Sequence, residues 1–199
     1  MTSLPVMNVQ PVVLCGQIVR LEPMTIDHVP ALARVGLEPE LWRLQPRPID
    51  TEDEMREYVL KALEGQRRGT ILPFTTVDQA SNQVIGSTSY LDIAPEHRRL
   101  EIGATWLTSA YQRTGANTEA KLLLLTHAFE TLGAIRVVFK TEVLNERSRR
   151  AIERIGATQE GIFRKHLTAS SGRTRDMVYY AILDDEWTAV KARLAGLCR

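Results

Sequence analysis

Between Tyr111 and Ala120 the chain reads YQRTGANTEA, and these residue types suit one task, the holding of an anion. The turn leads from an apolar run ending in Trp106-Leu107 into the apolar block Leu122 to Leu125. It therefore brings the backbone amides of a helix start, and the positive end of the helix dipole, to one point. Arg113 adds charge, Thr114 and Thr118 add hydroxyls, and no carboxylate appears before Glu119. Gly115 is expected to let the backbone approach a ligand closely or to take a positive φ. Glu119 and Lys121 are expected to point outward, with Glu119 also suiting the first helical turn. Taken in isolation, the loop reads equally well as an ordinary strand-to-helix connection. Two nucleotide-binding loops fail on the letters. Counted from Gly115, a Walker loop needs Gly and Ser or Thr where Ala120 and Leu122 stand, and a dinucleotide fingerprint needs three glycines where this loop has one.

The rest of the composition limits what such a loop can serve. With 199 residues and 44% hydrophobic content, one domain with a substantial core is expected, spanning 1–199, with 1–15 a loosely ordered N-terminal segment. A formal charge of +1 gives no global field favouring nucleic acid or an anionic membrane, so neither is an expected partner. Cys15 and Cys198 lie near opposite ends, without the spacing of a zinc site or a disulfide framework, so no metal is expected and a reduced cytoplasm suits the usage. The start MTSLPVMNVQPVVLCGQ has neither a basic region nor a sustained apolar one, and no stretch approaches the roughly 20 apolar residues of a membrane span. No export signal, anchor or span is expected.

The elements that position the loop follow from periodicity. Gln17 to Leu21 alternates as a strand, and Thr25 opens a helix with Ile26, Val29, Leu32 and Ala33 on one face. Thr51 and Glu54 form a capping box before a second amphipathic helix carrying Met55, Tyr58, Val59 and Ala62 along one side. TILPFTTVD and QVIGSTSYLDI flank QASN as an antiparallel hairpin, and LEIGATWL is the next strand. After the opening loop comes a helix from about Asn117 to Leu132, then AIRVVFKTEV, whose nearly continuous apolar run predicts a buried strand with a parallel neighbour. Asn145 to Ile155 is a helix stopped by Gly156. A long hairpin, ATQEGIFRKHL and TRDMVYYAIL around TASSGR, precedes a terminal helix beginning at Asp184.

These motifs, in this order, resemble the GNAT acetyltransferase superfamily, in the branch that includes the ribosomal-protein N-terminal serine and alanine acetyltransferases. The likeness covers Glu101 to Trp187 closely, and the N-terminal half only in element order, through VRLEPMTIDHVPAL. It implies a single α/β (α+β) domain whose mixed, mostly antiparallel sheet is flanked by helices and splayed between Glu101–Leu107 and Ile135–Thr141. Acetyl-coenzyme A would lie in that splay. The family's Gln/Arg-x-x-Gly-x-Gly/Ala loop stands here as Gln112, Arg113, Thr114, Gly115, Ala116 and Asn117, followed by Thr118. Asn117 departs from the family's small residue, though its amide remains a donor. Backbone groups of Thr105, Trp106 and Leu107 would hold the pantetheine arm and polarise the acetyl carbonyl. Asn145 and Ser148, in NERS, match the family's Asn-x-x-Ser, with Asn145 on the arm and Ser148 by the sulfur.

Aminolysis of a thioester needs a neutral amine, a held carbonyl, a stabilised oxyanion and a proton for the departing thiolate. The resemblance assigns the last task to Ser148, and proton acceptance from the amine to Glu101, whose other reading is a simple ion pair with Arg98, Arg99 or a base on a neighbouring strand. His127 is expected to be a packed residue, while His166 is a candidate for the cleft. Of Tyr179 and Tyr180, one should be core and the other should face the cleft. One of Arg147, Arg149, Arg150 and Arg154 is a candidate for the adenosine phosphate, and Trp42 with RLQPRPIDTEDE for the acceptor rim. The expected activity is acetyl transfer to a primary amine, either a protein N-terminus or a small amine or amino acid. The alternative is a non-catalytic acyl-coenzyme A binding or sensing module. Self-association into a homo-oligomer stays open.

Overall fold

An eight-stranded sheet, in the order β1-β2-β3-β4-β5-β6-β8-β7, forms the frame of the computed structural model, which describes residues 7–198. Its strands are β1 Leu14–Cys15, β2 Val19–Pro23, β3 Leu72–Asp78, β4 Val84–Ala94, β5 Arg99–Leu107, β6 Arg136–Glu142, β7 Thr158–Thr168 and β8 Thr174–Leu183. All neighbours pair antiparallel except β5 and β6, so the predicted single parallel contact is present at the centre. The expected looseness up to residue 15 is not seen from Met7 onward. Met7 is buried, Val9, Val12 and Leu14 pack against the core, and Leu14–Cys15 pairs with β2, because the apolar residues of this segment find the sheet. Residues 1–6 of that segment lie outside the described residues.

The helices divide between the two faces. On one face α4 (Ala116–Thr126), α5 (Glu146–Arg154) and α6 (Trp187–Leu197) cover the larger core, built from Leu100, Ile102, Leu124, Val137, Phe139 and Ile152 among others. On the other, α1 (Val29–Gly36), α2 (Pro39–Trp42) and α3 (Glu52–Arg67) enclose a smaller cluster around Trp42, Met55, Val59 and Trp106. The capping box read from Thr51 and Glu54 is formed, with Glu54 N donating to Thr51 Oγ1 at 3.2 Å. Ile26, expected on an apolar face, is instead exposed in a 3₁₀ turn preceding α1. The terminal helix begins at Trp187, three residues later than expected, because Asp184 to Glu186 form turns.

Two features of β5 shape the site. Its ladder with β6 covers only Arg99↔Arg136, Leu100↔Val137 and Glu101↔Val138, and beyond Glu101 the strands part. Against β4, the register slips between Ser87↔Trp106 and Ser89↔Gly103, which leaves Ala104 and Thr105 opposite Thr88 alone. This is a bulge, and Ala104 takes φ 48 in it. The extra residue reverses the alternation, so Thr105 joins the α4 face while Trp106 enters the α1/α3 cluster.

Candidate active site

The loop that opens α4 carries free donors. The first intrahelical bond of α4 runs from Glu119 N to Gly115 O at 2.9 Å, so the amides of Asn117 and Thr118 have no acceptor within the helix. The Ala116 amide donates to Thr114 Oγ1, 3.2 Å away. The residue with positive φ is Arg113, at 63°, while Gly115 is right-handed at φ −66. A Cβ on Gly115 would lie 2.7 Å from Ile18 Cδ1, so its small size serves packing against the β1–β2 turn rather than a left-handed turn. Asn117 Oδ1 is buried and has no hydrogen-bond partner among the described residues.

Across the opening stands the start of α5. Asn145 caps it, with Oδ1 accepting from Ser148 N at 3.1 Å, and Ser148 is half-buried on the first turn. Two arginines bridge from this helix to the loop: Arg147 donates to Gln112 Oε1, and Arg154 donates to Thr118 Oγ1 at 2.6 Å. Gln112 Nε2 donates to Leu107 O at 2.9 Å, fixing the loop to the end of β5. The basic helix thus divides its arginines. Arg149 turns to the Tyr180 hydroxyl, Arg150 pairs with Glu146 in solvent, and Arg147 and Arg154 face the loop. Residues 112–118 and 145–148, separated in sequence, are brought together at one end of the splayed strands.

The side chains of Thr105, Trp106 and Leu107 are committed elsewhere. Thr105 Oγ1 contacts Thr88 Oγ1 at 2.8 Å and Lys121 Nζ at 2.7 Å, Trp106 packs against Trp42 with the rings tilted, and Leu107 lies in the larger core. What this stretch has to offer a ligand is backbone, since Ile102 to Leu107 has no ladder with β6.

Glu119 and Lys121, expected to point outward, are both buried. The Glu119 carboxylate accepts from the amides of Gln17, Ile18 and Val19, at 2.9, 2.7 and 2.7 Å, and so closes the β1–β2 turn. Lys121 lies between α4 and the bulge, where burial pulls its ammonium down to about 7.

On the opposite face Glu101 is buried, with its Oε2 2.8 Å from Lys140 Nζ on β6. Burial pushes the Glu101 carboxyl up to about 7, Lys140 pulls it down, and Asp92 pushes it up again. It lines a hollow of about 230 Å³ with Asp92, Arg99, Arg136, Val138 and Tyr179. A larger hollow of about 430 Å³, beside Trp187 and Lys191, lies on α6 and is remote from this chemistry. Tyr179 faces the Glu101 side, with its hydroxyl 2.9 Å from His166 Nε2, while Tyr180 is core on the α5 side. His127 is packed, its Nδ1 3.2 Å from the Tyr90 hydroxyl. Trp42, a candidate for the rim, is core instead. The loop after it is tied to the β7–β8 hairpin, where Arg175 Nη2 donates to Leu44 O at 2.8 Å and Ser170 N to Pro46 O at 2.8 Å. Arg175 and Arg173 also hold buried Glu142 at the end of β6. No group of three or more His, Cys, Asp or Glu able to hold a metal occurs among the described residues, and no helix there is long and apolar enough to cross a membrane.

Comparison with known proteins adds to this geometry. The model of the acetyltransferase (GNAT) domain matches residues 19–158. The Bacillus subtilis (strain 168) protein YdaF, provisionally named a ribosomal N-acetyltransferase, is 38% identical over 106 residues, 53% of this chain and 57% of that relative, so the match spans little more than half its length. A provisionally assigned acetyltransferase from T. thermophilus, known from its crystal structure, is 39% identical with a TM-score of 0.86, covering 96% of this chain and 98% of that one. RimJ of Mycobacterium smegmatis, solved in complex with CoA-disulfide, shares the fold at 22% identity, with a TM-score of 0.78 and coverage of 94% and 93%.

Proposed function

The chain belongs to the GNAT acetyltransferase family, and from that premise we propose that it transfers an acetyl group from acetyl-coenzyme A to a primary amine, a protein N-terminus first and a small amine or amino acid second. The observation that carries this reading is the parting of β5 and β6 after Glu101, with a helix start rich in free amides on one face and a buried carboxylate on the other. The residues present fit coenzyme A. Unpaired amides at Asn117 and Thr118 with Arg113 suit its pyrophosphate, and the orphaned Asn117 Oδ1 supplies an acceptor for one of its donors.

Acetyl-coenzyme A supplies an activated acetyl thioester. The free backbone of Ile102 to Leu107 holds the arm and orients the carbonyl, with the Asn145 amide group and the α5 N-terminus opposite. Ser148, on that helix start, would hydrogen-bond the departing sulfur and relay to it the second proton shed by the attacking nitrogen. Glu101 accepts the proton released by the acceptor ammonium, directly or through water, and its value near 7 suits that task at neutral pH. An α-amino group, with a reference value of about 7.7 to 8.0 against about 10.4 for lysine, asks less of such a base. The preference for a protein N-terminus draws on the name of YdaF and on this difference. The experiment is thiol release from acetyl-coenzyme A with a panel of free and blocked peptides, lysine and small amines. Release that requires a free α-amine supports the reading. Coenzyme A binding without release for any amine would sink it in favour of a binding module.

A further inference from the structure

On the Glu101 side of the sheet, three neighbouring strands bring one ammonium against two carboxylates, and both carboxylates line the hollow. The Lys140 ammonium of β6 lies 2.8 Å from Glu101 Oε2 of β5 and 3.2 Å from Asp92 Oδ2 of β4. The two carboxylates differ in environment, for the Glu101 side chain is 4% exposed and that of Asp92 is 63% exposed. The other titratable or charged groups around them are accounted for. Arg136 is held by Glu160 of β7, Tyr179 of β8 is bonded to His166 of β7, and Arg99 lines the same hollow. One cation therefore serves two anions, and only one of those anions is deprived of water.

We propose that Lys140 is a positioning residue that, anchored on its solvent side by Asp92, sets the ionisation of Glu101 and thereby the pH range in which this carboxylate accepts a proton. The inference rests on Glu101 being the proton acceptor of the proposed reaction. A carboxyl deprived of water reverts to its neutral form, which accepts no proton, unless a cation is held against it. Lys140 supplies that cation. Asp92 competes for the same ammonium and adds a like charge, so its effect on Glu101 has the opposite sign. The directions agree with the geometry, since Lys140 lowers the Glu101 value and Asp92 raises it. Burial pulls Lys140 itself down, but Glu101 and then Asp92 more than offset this, so the ammonium stays charged wherever Glu101 titrates.

The test uses two readouts on the full chain. The Glu101 titration is followed by carboxyl ¹³C NMR, its resonance assigned by its loss in Glu101→Gln, and needs no acceptor. The acidic limb of kcat/KM against pH is measured with acetyl-coenzyme A and whichever amine of the panel turns over. An opposite charge at this distance is worth roughly 1 to 3 pKa units. Lys140→Met should therefore raise the Glu101 midpoint by at least about one unit and cut the rate at pH 7 roughly fivefold, with recovery near pH 9. Lys140→Arg should keep the midpoint close to wild type. Asp92→Asn, at an exposed position, should lower it, which keeps the test open if Lys140→Met misfolds. A midpoint unmoved in Lys140→Met, or moved upward in Asp92→Asn, overturns the proposal. A midpoint that moves while the rate limb stays put overturns Glu101 as the proton acceptor instead.

Discussion

At the scale of single residues, Glu101 carries two consequences that separate its chemistry from its burial. As the proposed proton acceptor it should be replaceable by Gln only at a loss of about 10² to 10⁴-fold in turnover, with coenzyme A affinity nearly unchanged, because the amides proposed to hold the phosphates lie elsewhere. Wild-type turnover in Glu101→Gln would reduce Glu101 to the other reading of the sequence, an ion pair. Ser148→Ala should likewise slow transfer more than it weakens cofactor binding. The burial of Glu101 also acts on stability. Its folded value, about 7, lies above the unfolded value of about 4.3. The neutral carboxyl is thus the form the fold prefers, and its contribution is complete below the unfolded value and fades as pH rises to 7. Glu101→Gln removes that fading, so melting scans should show the variant gaining on wild type between pH 5 and pH 8. The pairing with Lys140 was only half readable in the sequence. Arg136, Val138, Lys140 and Glu142 alternate along one face of the strand, opposite Val137 and Phe139, but which groups from β4 and β5 meet them depends on strand order.

Among the elements, α4 carries both the local signature of a helix start and a buried lysine at core spacing. The helix, the loop before it and the buried parallel strand after it were all readable, because a helix start and an apolar strand have local signatures. The inward turn of Lys121 had a signature too. Leu124, Leu125 and Ala128 follow it at three, four and seven residues, so Lys121 lies on the buried face of its own helix. A lysine at such a position reads as solvent-facing by residue type and as core by spacing, and here spacing prevailed, with the hydroxyls of Thr88 and Thr105 as its partners. The β5 bulge those threonines mark carries no letter signature, since its extra residue is an alanine at φ 48. Lys121 has a folded value, about 7, below its unfolded value of about 10.4, so the sign is opposite to that of Glu101. Its contribution is present above the unfolded value and is lost as pH falls toward 7. Lys121→Met should therefore melt higher than wild type at pH 7, with the advantage shrinking toward pH 10. An advantage independent of pH would mean that Lys121 stays charged in its burial site.

For the whole molecule, the central fact is that one sheet is closed at its base and open at its end, and both ends of that geometry are held by charge as well as packing. At the rim, Arg175 joins buried Glu142 to the loop at Leu44. Its removal leaves that carboxylate with Arg173 alone, so Arg175→Met should cost about 3 kcal/mol, the low end for breaking a buried pair, and lower the melting temperature by roughly 6 to 12 °C. Glu142 lies below the ordinary carboxylate range, held there by Arg173 and then Arg175, so the pair's contribution fades as pH falls through the acid range. The open end is the claim on which the function depends. Coenzyme A at about 100 times its dissociation constant should stabilise the fold by about 2.7 kcal/mol, a rise of roughly 5 to 10 °C. Asn117→Asp tests this most directly. It keeps the side-chain shape and places a negative charge at a helix start, where the dipole and free amides favour it in the absence of ligand and a pyrophosphate opposes it. Melting scans with and without coenzyme A should show Asn117→Asp folding near the wild-type temperature yet losing nearly all of the ligand-induced rise, while Arg150→Ala retains most of it. A full rise in Asn117→Asp would contradict the account, because the phosphates would then lie somewhere other than the start of α4.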